Sequence, residues 1–441
     1  MPPATILPLP MAIISPFQAL RYTSNQIPVT KVVTQPYDKI TPEMQERYYA
    51  ANPYNLVRII LGKRLPGDGD HENVYTRAAA SFSDWRQAGI LRQDPHPSLY
   101  RYSQTFTIPP NQTRAQREGF IALGQLEEYA DGVVFPHELT HSGPKADRLE
   151  LLRATHTHFE QIFMLYTGSP EIDSQIHSAV PPEIEVSDEY GVLHRVWKIS
   201  DPGAIAAVQA QMRDQKLIIA DGHHRYETAL AYRDQRRAAN PSARNAPYDS
   251  MMMTFFDMNS PGLVILPTHR VVFGLPSFSS AHLQGGARQF FNVEEIDASI
   301  DASRAAAILR EGVQAGTALI AATSERVFLM HTPKALGTNL FAGLSLRQQS
   351  LDVVQLHKCL LEGVLKISEE ATRNQQNVSY HRDAADALAQ VRSGQAQAAF
   401  LMNPVRIEQV RDIAFAGEVL PQKSTDFYPK LLSGLTIYAM E

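Results

Sequence analysis

The segment from Lys216 to Arg236 constrains the fold more than any other part of the sequence. Lys216–Ala220 is a short apolar run that predicts a buried strand, and Asp221-Gly222 predicts a turn directly after it. Arg225–Arg236 then predicts a helix. A strand that leads into a helix through a glycine turn is typical of proteins in which helices pack on a β-sheet.

Strand and helix patterns alternate along the rest of the chain as well. The predicted helices are Glu72–Gln87, 145–160, 202–214, 300–312, 350–365 and 383–392. The predicted strands are Leu99–Ile108, Gly119–Leu123, Ile162–Tyr166, Met251–Phe256, Leu263–Ile265, 317–322, 326–331 and 398–402. This interleaving predicts an α/β or mixed α+β fold.

The length of 441 residues favours two or three domains. We predict an N-terminal region over 1–275 and a further C-terminal α/β region over 276–441, with the boundary between about 270 and 280. The sequence leaves the oligomeric state open.

Charge and cysteine content exclude several classes of function. The formal net charge of −5 argues against a protein whose main role is to coat nucleic acid or a membrane surface. Cys359 is the only cysteine, so the chain has no intrachain disulfide and no cysteine-built zinc site. The apolar N-terminus is interrupted by prolines and lacks a basic residue before Arg21, so it does not predict a signal peptide. We therefore expect a cytoplasmic protein without nucleic-acid or membrane partners.

The turn between the predicted strand and helix is the strongest candidate for a functional site. Unpaired N–H groups at a helix start favour an anion, and Gly222 allows a phosphate to approach the backbone. His223, His224 and Arg225 add donors and positive charge, and Asp221 can orient a histidine, bind a metal or accept a proton. The alternative is a helix cap with surface histidines.

A second polar cluster contains the sequence His-Glu-x-x-His. His137, Glu138 and His141 have the spacing that places two zinc ligands one helical turn apart beside a glutamate. Pro136 before this segment and Gly143-Pro144 after it restrict any such helix to about two turns. The context therefore argues against a zinc protease.

The same segment is better interpreted as a polar loop that leads into a helix beginning near Lys145. Together with His137 and Glu138, the side chains of Lys145 and Arg148 are of the kinds that surround a bound phosphate or carboxylate. The alternative is a solvated loop with a charged helix start.

Two further clusters offer cations and hydroxyl groups. One is Thr268-His269-Arg270, at the end of a predicted strand, and the other is Lys423-Ser424-Thr425. Neither is a Walker loop, because the glycine-rich lead is missing.

Taken together, these clusters resemble the prokaryotic family called "domain of unknown function 1015" over essentially the full length. The residues that carry the resemblance are Ser15-Pro16-Phe17, Gln35-Pro36-Tyr37-Asp38, Asn52-Pro53-Tyr54-Asn55, Pro136-His137-Glu138, Lys145-Ala146-Asp147-Arg148-Leu149, Asp221-Gly222-His223-His224-Arg225-Tyr226, Leu266-Pro267-Thr268-His269-Arg270 and Gln422-Lys423-Ser424-Thr425.

The segment Ile219–Ala229 also resembles the nucleotide-phosphate box shared by ParB, sulfiredoxin and free-serine kinases. That resemblance implies a ParB/sulfiredoxin-like nucleotide-binding core that holds nucleotide phosphates with magnesium, and thus ATP or ADP as a cofactor. No helix-turn-helix module is evident, and sulfiredoxin's reactive cysteine is replaced here by His223. These differences argue against the DNA-binding activity of ParB and the cysteine chemistry of sulfiredoxin. Of the activities that the resemblance implies, phosphoryl transfer on a small molecule is the one that remains.

The resemblance therefore implies a phosphotransfer enzyme that acts on a small hydroxylated or phosphorylated metabolite, with serine or phosphoserine as the first candidate substrate. The candidate catalytic residues are Asp221, His223, His224, Glu138 and His137. The candidate phosphate-binding residues are Gly222, Arg225, Lys145, Arg148, Thr268, His269, Arg270, Lys423 and Ser424. The alternatives are a nucleotide-dependent DNA-binding or regulatory protein and a metal-dependent hydrolase using His137, Glu138 and His141.

Overall fold

The computed structural model describes residues 11–23, 27–109, 112–138, 143–312, 316–334 and 339–440. The chain divides into two compact units. Met1–Pro136, Thr140–Val264 and Pro429–Glu441 belong to the first unit, and His137–Leu139 and Ile265–Tyr428 belong to the second. The separation into domains at 275/276 stays a prediction.

Most elements of the first unit lie between the N-terminus and the strand Ser250–Asp257. Its strands are β1 (Ile14–Ser15), β2 (Leu20–Tyr22), β3 (Leu91–Gln93), β4 (Leu99–Ile108), β5 (Thr113–Gln125), β6 (Val134–Pro136), β7 (Thr157–His158), β8 (Ile162–Tyr166), β9 (Ile184–Ser187), β10 (Leu193–Ile199), β11 (Leu217–Asp221) and β12 (Ser250–Asp257). Its helices are α1 (Pro42–Ala51), α2 (Val57–Ile60), α3 (Val74–Gln87), α4 (Gly143–Thr155), α5 (Pro170–Ile176), α6 (Pro202–Met212) and α7 (His223–Ala239).

A mixed sheet forms the centre of the first unit. Within the described residues it has nine strands, in the order β6-β11-β8-β12-β5-β4-β10-β9, with β1 beside β5. β11 runs parallel to β6 and antiparallel to β8, and β12 runs parallel to β8. Strands β8 and β11 are apolar because their side chains are buried in one core with the inner face of α7, which contributes Tyr226, Ala229 and Leu230.

The second unit contains its own sheet and its own core. Its strands are β13 (Val264–Leu266), β14 (His269–Val272), β15 (Asn292–Ile296), β16 (Ala318–Ala322), β17 (Val327–His331), β18 (Val378–His381), β19 (Ala398–Met402) and β20 (Asp426–Tyr428). Its helices are α8 (Ser280–Ala287), α9 (Ala302–Gly312), α10 (Leu346–Gln349), α11 (Asp352–Gln355), α12 (Glu369–Arg373), α13 (Ala384–Arg392) and α14 (Ile407–Phe415). A π-helical segment, Leu356–Val364, continues α11.

The main sheet of the second unit is antiparallel, in the order β15-β17-β16-β19-β14-β18. The final strand of the chain, β21 (Tyr438–Ala439), returns to the first unit and pairs with β7. The α/β class predicted from the sequence is confirmed. None of the helices in the described part of the chain is both long and apolar enough to span a membrane.

The helix predicted over 145–160 is wrong in its last turn. α4 ends at Thr155, and His156 adopts a left-handed backbone conformation with φ 50° while its N–H donates to the carbonyl of Leu152. A left-handed residue after a helix satisfies the last carbonyls and stops the helix. His158 therefore lies in β7 rather than on a helix.

Candidate functional site

The turn between β11 and α7 depends on glycine at position 222. Gly222 has φ 97°, in the left-handed region, and it caps the N-terminus of α7. A Cβ at this position would lie 2.9 Å from Cδ1 of Ile162 and 3.1 Å from Nη2 of Arg225. Glycine is the residue that meets both requirements. The first N–H groups of α7 follow at His223 and His224, whose side chains are half-buried.

Asp221, the last residue of β11, is held between two cations. Its Oδ2 lies 3.0 Å from Nη2 of Arg225, and its Oδ1 accepts a hydrogen bond of 2.9 Å from Nζ of Lys430. Burial acts to raise the pKa of Asp221, but the charges of Lys430, Arg225 and Lys39 outweigh it and lower the pKa far below its usual range. Asp221 is therefore an ionised carboxylate that orients Lys430 and Arg225.

Arg225 is fixed by groups on both sides of its guanidinium. Nη1 donates to the carbonyl of Gln161 at 2.6 Å, while Nη2 contacts Asp221. Burial acts to lower the pKa of Arg225, but the nearby carboxylates of Glu160, Asp221 and Asp38 raise it above its ordinary value. The guanidinium thus remains charged in a largely buried position.

Arg148 and Tyr37 lie in the same environment. The guanidinium carbon of Arg148 lies 4.2 Å from the centre of the Tyr37 ring, and Nη1 of Arg148 donates to the carbonyl of Ile60 at 2.7 Å. The buried Glu160 accepts the Tyr37 N–H at 2.9 Å. Burial, partly offset by the charge of Arg225, raises the pKa of Tyr37 to about 12.

A small cavity of about 50 Å³ lies against these groups, and its lining includes Arg148, Glu160, Arg225 and His158. Lys145, on the same helix as Arg148, pairs with Glu227 of α7. α4 therefore packs against α7, so that Lys145 and Arg148 of the second predicted cluster lie near the first turns of α7. The first unit brings together Asp221, Gly222, His223, His224, Arg225, Lys145 and Arg148.

The remaining predicted residues lie in the second unit: His137, Glu138, Thr268, His269, Arg270, Lys423 and Ser424. His137 is buried, and its Nε2 shares a hydrogen bond of 2.7 Å with Oγ1 of Thr425. Glu138 pairs in extended backbone with Leu420, and its Oε1 accepts the N–H of Lys423 at 2.8 Å.

Arg270 occupies the centre of this second group. Nη2 donates to the carbonyl of Lys423 at 3.1 Å, Nη1 donates to the carbonyl of Thr268, and Nε donates to Nε2 of His357 at 3.3 Å. Burial lowers the pKa of Arg270 to about 10. Its guanidinium is therefore engaged mainly with backbone carbonyls.

His269 and Ser424 are also buried in protein contacts. Nδ1 of His269 accepts the N–H of Met402 at 3.3 Å, and burial followed by the charge of Arg270 lowers its pKa to about 4. The hydroxyl of Ser424 donates to the carbonyl of Pro421. Lys423 differs from these residues because its side chain is exposed.

The described residues give no support to the metal-dependent hydrolase. His141 lies outside the described residues. Neither His137 nor Glu138 lies in a helix, and Glu138 forms a β-bridge with Leu420. No group of three or more His, Cys, Asp or Glu within the described part of the chain is arranged to hold a metal ion.

Three groups of the first-unit cluster were not among the residues predicted from the sequence: Lys430, Glu160 and Tyr37. Tyr37 lies in one of the segments that carry the family resemblance and Lys430 does not, but in neither case does a local pattern mark the contact with Arg148 or Asp221. Glu160 follows a helix that was predicted to include it, so its burial beside Arg148 could not be anticipated.

Fold and cluster together define an α/β protein in which Arg225 and Lys430 hold the carboxylate of Asp221 between them at the start of a helix. The chain belongs to the family described as "Protein of unknown function (DUF1015)", whose model matches residues 14–354. None of the curated proteins compared with the chain matches it in sequence.

The similar solved structures are distant. A conserved hypothetical protein from Pyrococcus furiosus is 14% identical with a TM-score of 0.34, and the match covers 69% of this chain and 92% of that protein. A free serine kinase in complex with AMP is 13% identical with a TM-score of 0.36, covering 69% of this chain and 88% of the kinase. SbnI with a C-terminal truncation, from Staphylococcus aureus, is 10% identical with a TM-score of 0.33, covering 71% and 85%.

Proposed function

We propose that the protein is a phosphotransfer enzyme acting on a small hydroxylated or phosphorylated metabolite, built on a ParB/sulfiredoxin-like nucleotide-binding core. Serine or phosphoserine is the first candidate substrate, in either direction of transfer, and ATP or ADP is the candidate phosphate partner. The observation that carries the proposal is the placement of Asp221 between Arg225 and Lys430 at the N-terminus of α7.

The charges of this cluster suit the needs of phosphoryl transfer. Such a reaction requires little covalent chemistry from the protein, and catalysis rests on positioning and on cations that stabilise the transferred group. Arg225 and Lys430 are fixed by Asp221 before any substrate binds, so their reorganisation cost is small. The N–H groups that begin α7 add donors for phosphate oxygens.

The roles within the cluster follow from the contacts. Asp221, with its strongly lowered pKa, is too weak a base to remove a proton from a hydroxyl group, and it acts by orienting the two cations. His223 and His224, in the first turn of α7, are the residues we propose for proton transfer. Arg148 and Lys145 provide further positive charge from α4.

Magnesium is part of the proposal only as an ion that accompanies a nucleotide. The described residues form no cage of three metal ligands, and both oxygens of Asp221 contact cations. Magnesium is commonly held by one or two carboxylates together with substrate phosphates and water. No step of the proposed reaction is therefore assigned to the metal.

The proposal is tested by following ³¹P NMR spectra of the purified protein with magnesium-ATP and L-serine, and with magnesium-ADP and O-phospho-L-serine. We expect formation of a phosphorylated product in at least one direction. Arg225→Ala should reduce the rate about a thousandfold, because it removes a fixed cation from the transferred group. Arg236→Ala, on the exposed part of the same helix, is the matched control and should keep the wild-type rate.

Two results would contradict the proposal. Arg225→Ala protein that folds normally and turns over at the wild-type rate would remove the site from the reaction. Absence of any thermal shift of the wild-type protein with ATP, ADP, pyrophosphate or phosphoserine would remove phosphate binding itself, since a ligand at a hundred times its Kd stabilises by about 2.7 kcal/mol.

A further inference from the structure

Arg117 is a charged side chain buried among aromatic side chains in the core of the first unit. It lies on β5, has no exposed surface, and stands between the rings of Phe163 and Phe256, 4.5 Å and 4.6 Å from their centres. Burial lowers the pKa of Arg117 to about 9. Placing a guanidinium in such surroundings carries a large desolvation cost. An apolar side chain would fill the space without that cost, so the donors of Arg117 call for an explanation.

Those donors hold the backbone on the N-terminal side of Lys430. Nη2 of Arg117 donates to the carbonyl of Pro429 at 2.7 Å, and Nε donates to Oε1 of Gln104 at 3.2 Å. Gln104 is also fully buried, and its Nε2 donates to the carbonyl of Lys430 at 2.8 Å. The carbonyls before and after the Lys430 side chain are thus both fixed from the sheet.

The Lys430 side chain then leads directly to the start of α7. It is 9% exposed, and its ammonium contacts Asp221 at 2.9 Å, which in turn contacts Arg225 at 3.0 Å. A continuous series of hydrogen bonds and ion pairs therefore runs from Arg117 through Gln104, Lys430 and Asp221 to Arg225. Arginine suits the first position because its planar group offers several donors in fixed directions.

We propose that Arg117, acting with Gln104, is a positioning residue that sets the location of the Lys430 ammonium beside Asp221. The inference rests on the proposed function in so far as Lys430 is taken to contact a phosphate. Arg117 itself touches no reacting atom. Its effect on ligand binding is exerted entirely through Lys430.

A double-mutant cycle tests that dependence, with inorganic pyrophosphate as the probe and calorimetry as the measurement. Arg117→Met and Lys430→Met should each weaken pyrophosphate binding, the lysine variant by about tenfold or more, as for the loss of one charged contact. In the Lys430→Met background, Arg117→Met should cause no further loss. Additive losses in the double variant would overturn the proposal.

Two variants test whether the loss of binding reflects a general loss of folding. Gln104→Met removes the donor to the Lys430 carbonyl and the acceptor of Arg117 Nε while the charge of Arg117 stays in place, and we expect the same dependence on Lys430. Arg101→Met removes another buried arginine, which stacks on Trp197 and pairs with Glu118 on the same sheet. Arg101→Met should keep wild-type pyrophosphate affinity, and an equal loss there would overturn the specific role of Arg117.

A second measurement does not require any ligand. Reductive methylation followed by mass spectrometry gives the rate at which each lysine is modified. Lys430 should react about tenfold faster in Arg117→Met than in the wild type, because its backbone is released. Lys198, a partly buried lysine of the same sheet, should react at equal rates in both proteins.

The two readouts separate the two proposals. Unchanged methylation of Lys430 in Arg117→Met would overturn the positioning role. Faster methylation of Lys430, in a protein that binds no phosphate compound, would support the positioning role and contradict the proposed function alone.

Discussion

Each unit of the protein contains a fully buried arginine that donates to a backbone carbonyl, either of a lysine or of the residue directly before one. In the first unit Arg117 donates to the carbonyl of Pro429, which precedes Lys430. In the second unit Arg270 donates to the carbonyl of Lys423. Both guanidinium groups also lie over aromatic rings, so the two regions use the same means to fix a short piece of backbone.

The two regions differ in what happens to the lysine side chain. The Lys430 ammonium is almost buried and contacts Asp221, whereas the Lys423 side chain is exposed. Among the described residues, the contacts of Lys423 are made by its backbone, with Arg270 at its carbonyl and Glu138 at its N–H. A charge that is fixed in advance loses less conformational entropy when a ligand binds. On the proposed function, we therefore expect Lys430 to contribute more than Lys423 to phosphate binding.

The largest expected effect is on turnover. Lys430→Met should lower the rate of phosphotransfer about a thousandfold, and Lys423→Met about tenfold, because a preorganised cation stabilises the transferred group more than a mobile one. The rates are measured from the ³¹P signals described above, at saturating substrate. Lys63→Met removes a partly exposed lysine that pairs with Glu46, and it provides the control. Equal losses of rate in Lys430→Met and Lys423→Met would contradict the expected difference between the two lysines.

The next effect concerns stability. Arg117→Met and Arg270→Met should each lower the free energy of unfolding by roughly 2 kcal/mol, because buried carbonyls lose charged donors while a buried charge is also removed. Both tryptophans, Trp85 and Trp197, belong to the first unit, so tryptophan fluorescence reports that unit and circular dichroism reports both.

Urea titration followed by both signals distinguishes the two arginines. We expect Arg117→Met to move the fluorescence transition and Arg270→Met to move only the transition seen by circular dichroism. If Arg270→Met shifts the fluorescence transition as far as Arg117→Met does, the two regions are one cooperative unit of stability rather than two comparable ones.

The elements around the site could be predicted because their signals are local. β11 and the turn at Gly222 follow from an apolar run and a glycine, and α7 begins at His223, two residues earlier than predicted. The pairing of β11 with both β6 and β8 could not be predicted, because register between distant segments is set by tertiary packing. The α/β class could therefore be predicted from the sequence, whereas the order of the strands in the sheet could not.

The same division applies to the site. Asp221 and Arg225 stand beside a glycine turn, and this local pattern identifies them as candidate site residues. Arg117 lies in the polar sequence Thr113–Glu118, which suggests an exposed strand end. Its one available signal was the alternation of the strand, which places Arg117 on the same face as Ile121. The contact of Lys430 with Asp221 joins segments that are far apart in sequence, and no local pattern records it.

A smaller effect concerns pH, because each region contains a buried histidine. Burial lowers the pKa of His158 in the first unit to about 4, and burial together with the charge of Arg270 lowers that of His269 in the second unit to about 4. In the unfolded chain both have a pKa near 6.5. The unfolded state therefore binds more protons below about pH 6.5, and stability must fall as the pH is lowered toward 4.

Between pH 7 and about pH 5.5, each histidine should account for a loss of about 1 kcal/mol. Urea titrations at these two pH values measure the loss, again with fluorescence for the first unit. His158→Gln should reduce the pH dependence of the fluorescence transition, and His269→Gln should leave it unchanged. A fluorescence transition that is equally pH-dependent with and without His158 would show that burial of this imidazole is not the cause.

The smallest effect sharpens the comparison of the two lysines. Lys423 has φ 57°, a left-handed conformation that is unfavourable for a lysine and acceptable for asparagine. Lys423→Asn should therefore raise the free energy of unfolding by about 0.5 kcal/mol while it weakens pyrophosphate binding. A rise in stability together with weaker pyrophosphate binding would mean that lysine is retained at this strained position for its charge. Arg270 and Glu138 would then hold its backbone in place. A loss of stability in Lys423→Asn, measured by thermal denaturation, would instead mean that the aliphatic part of Lys423 packs against the second unit and that its role is structural.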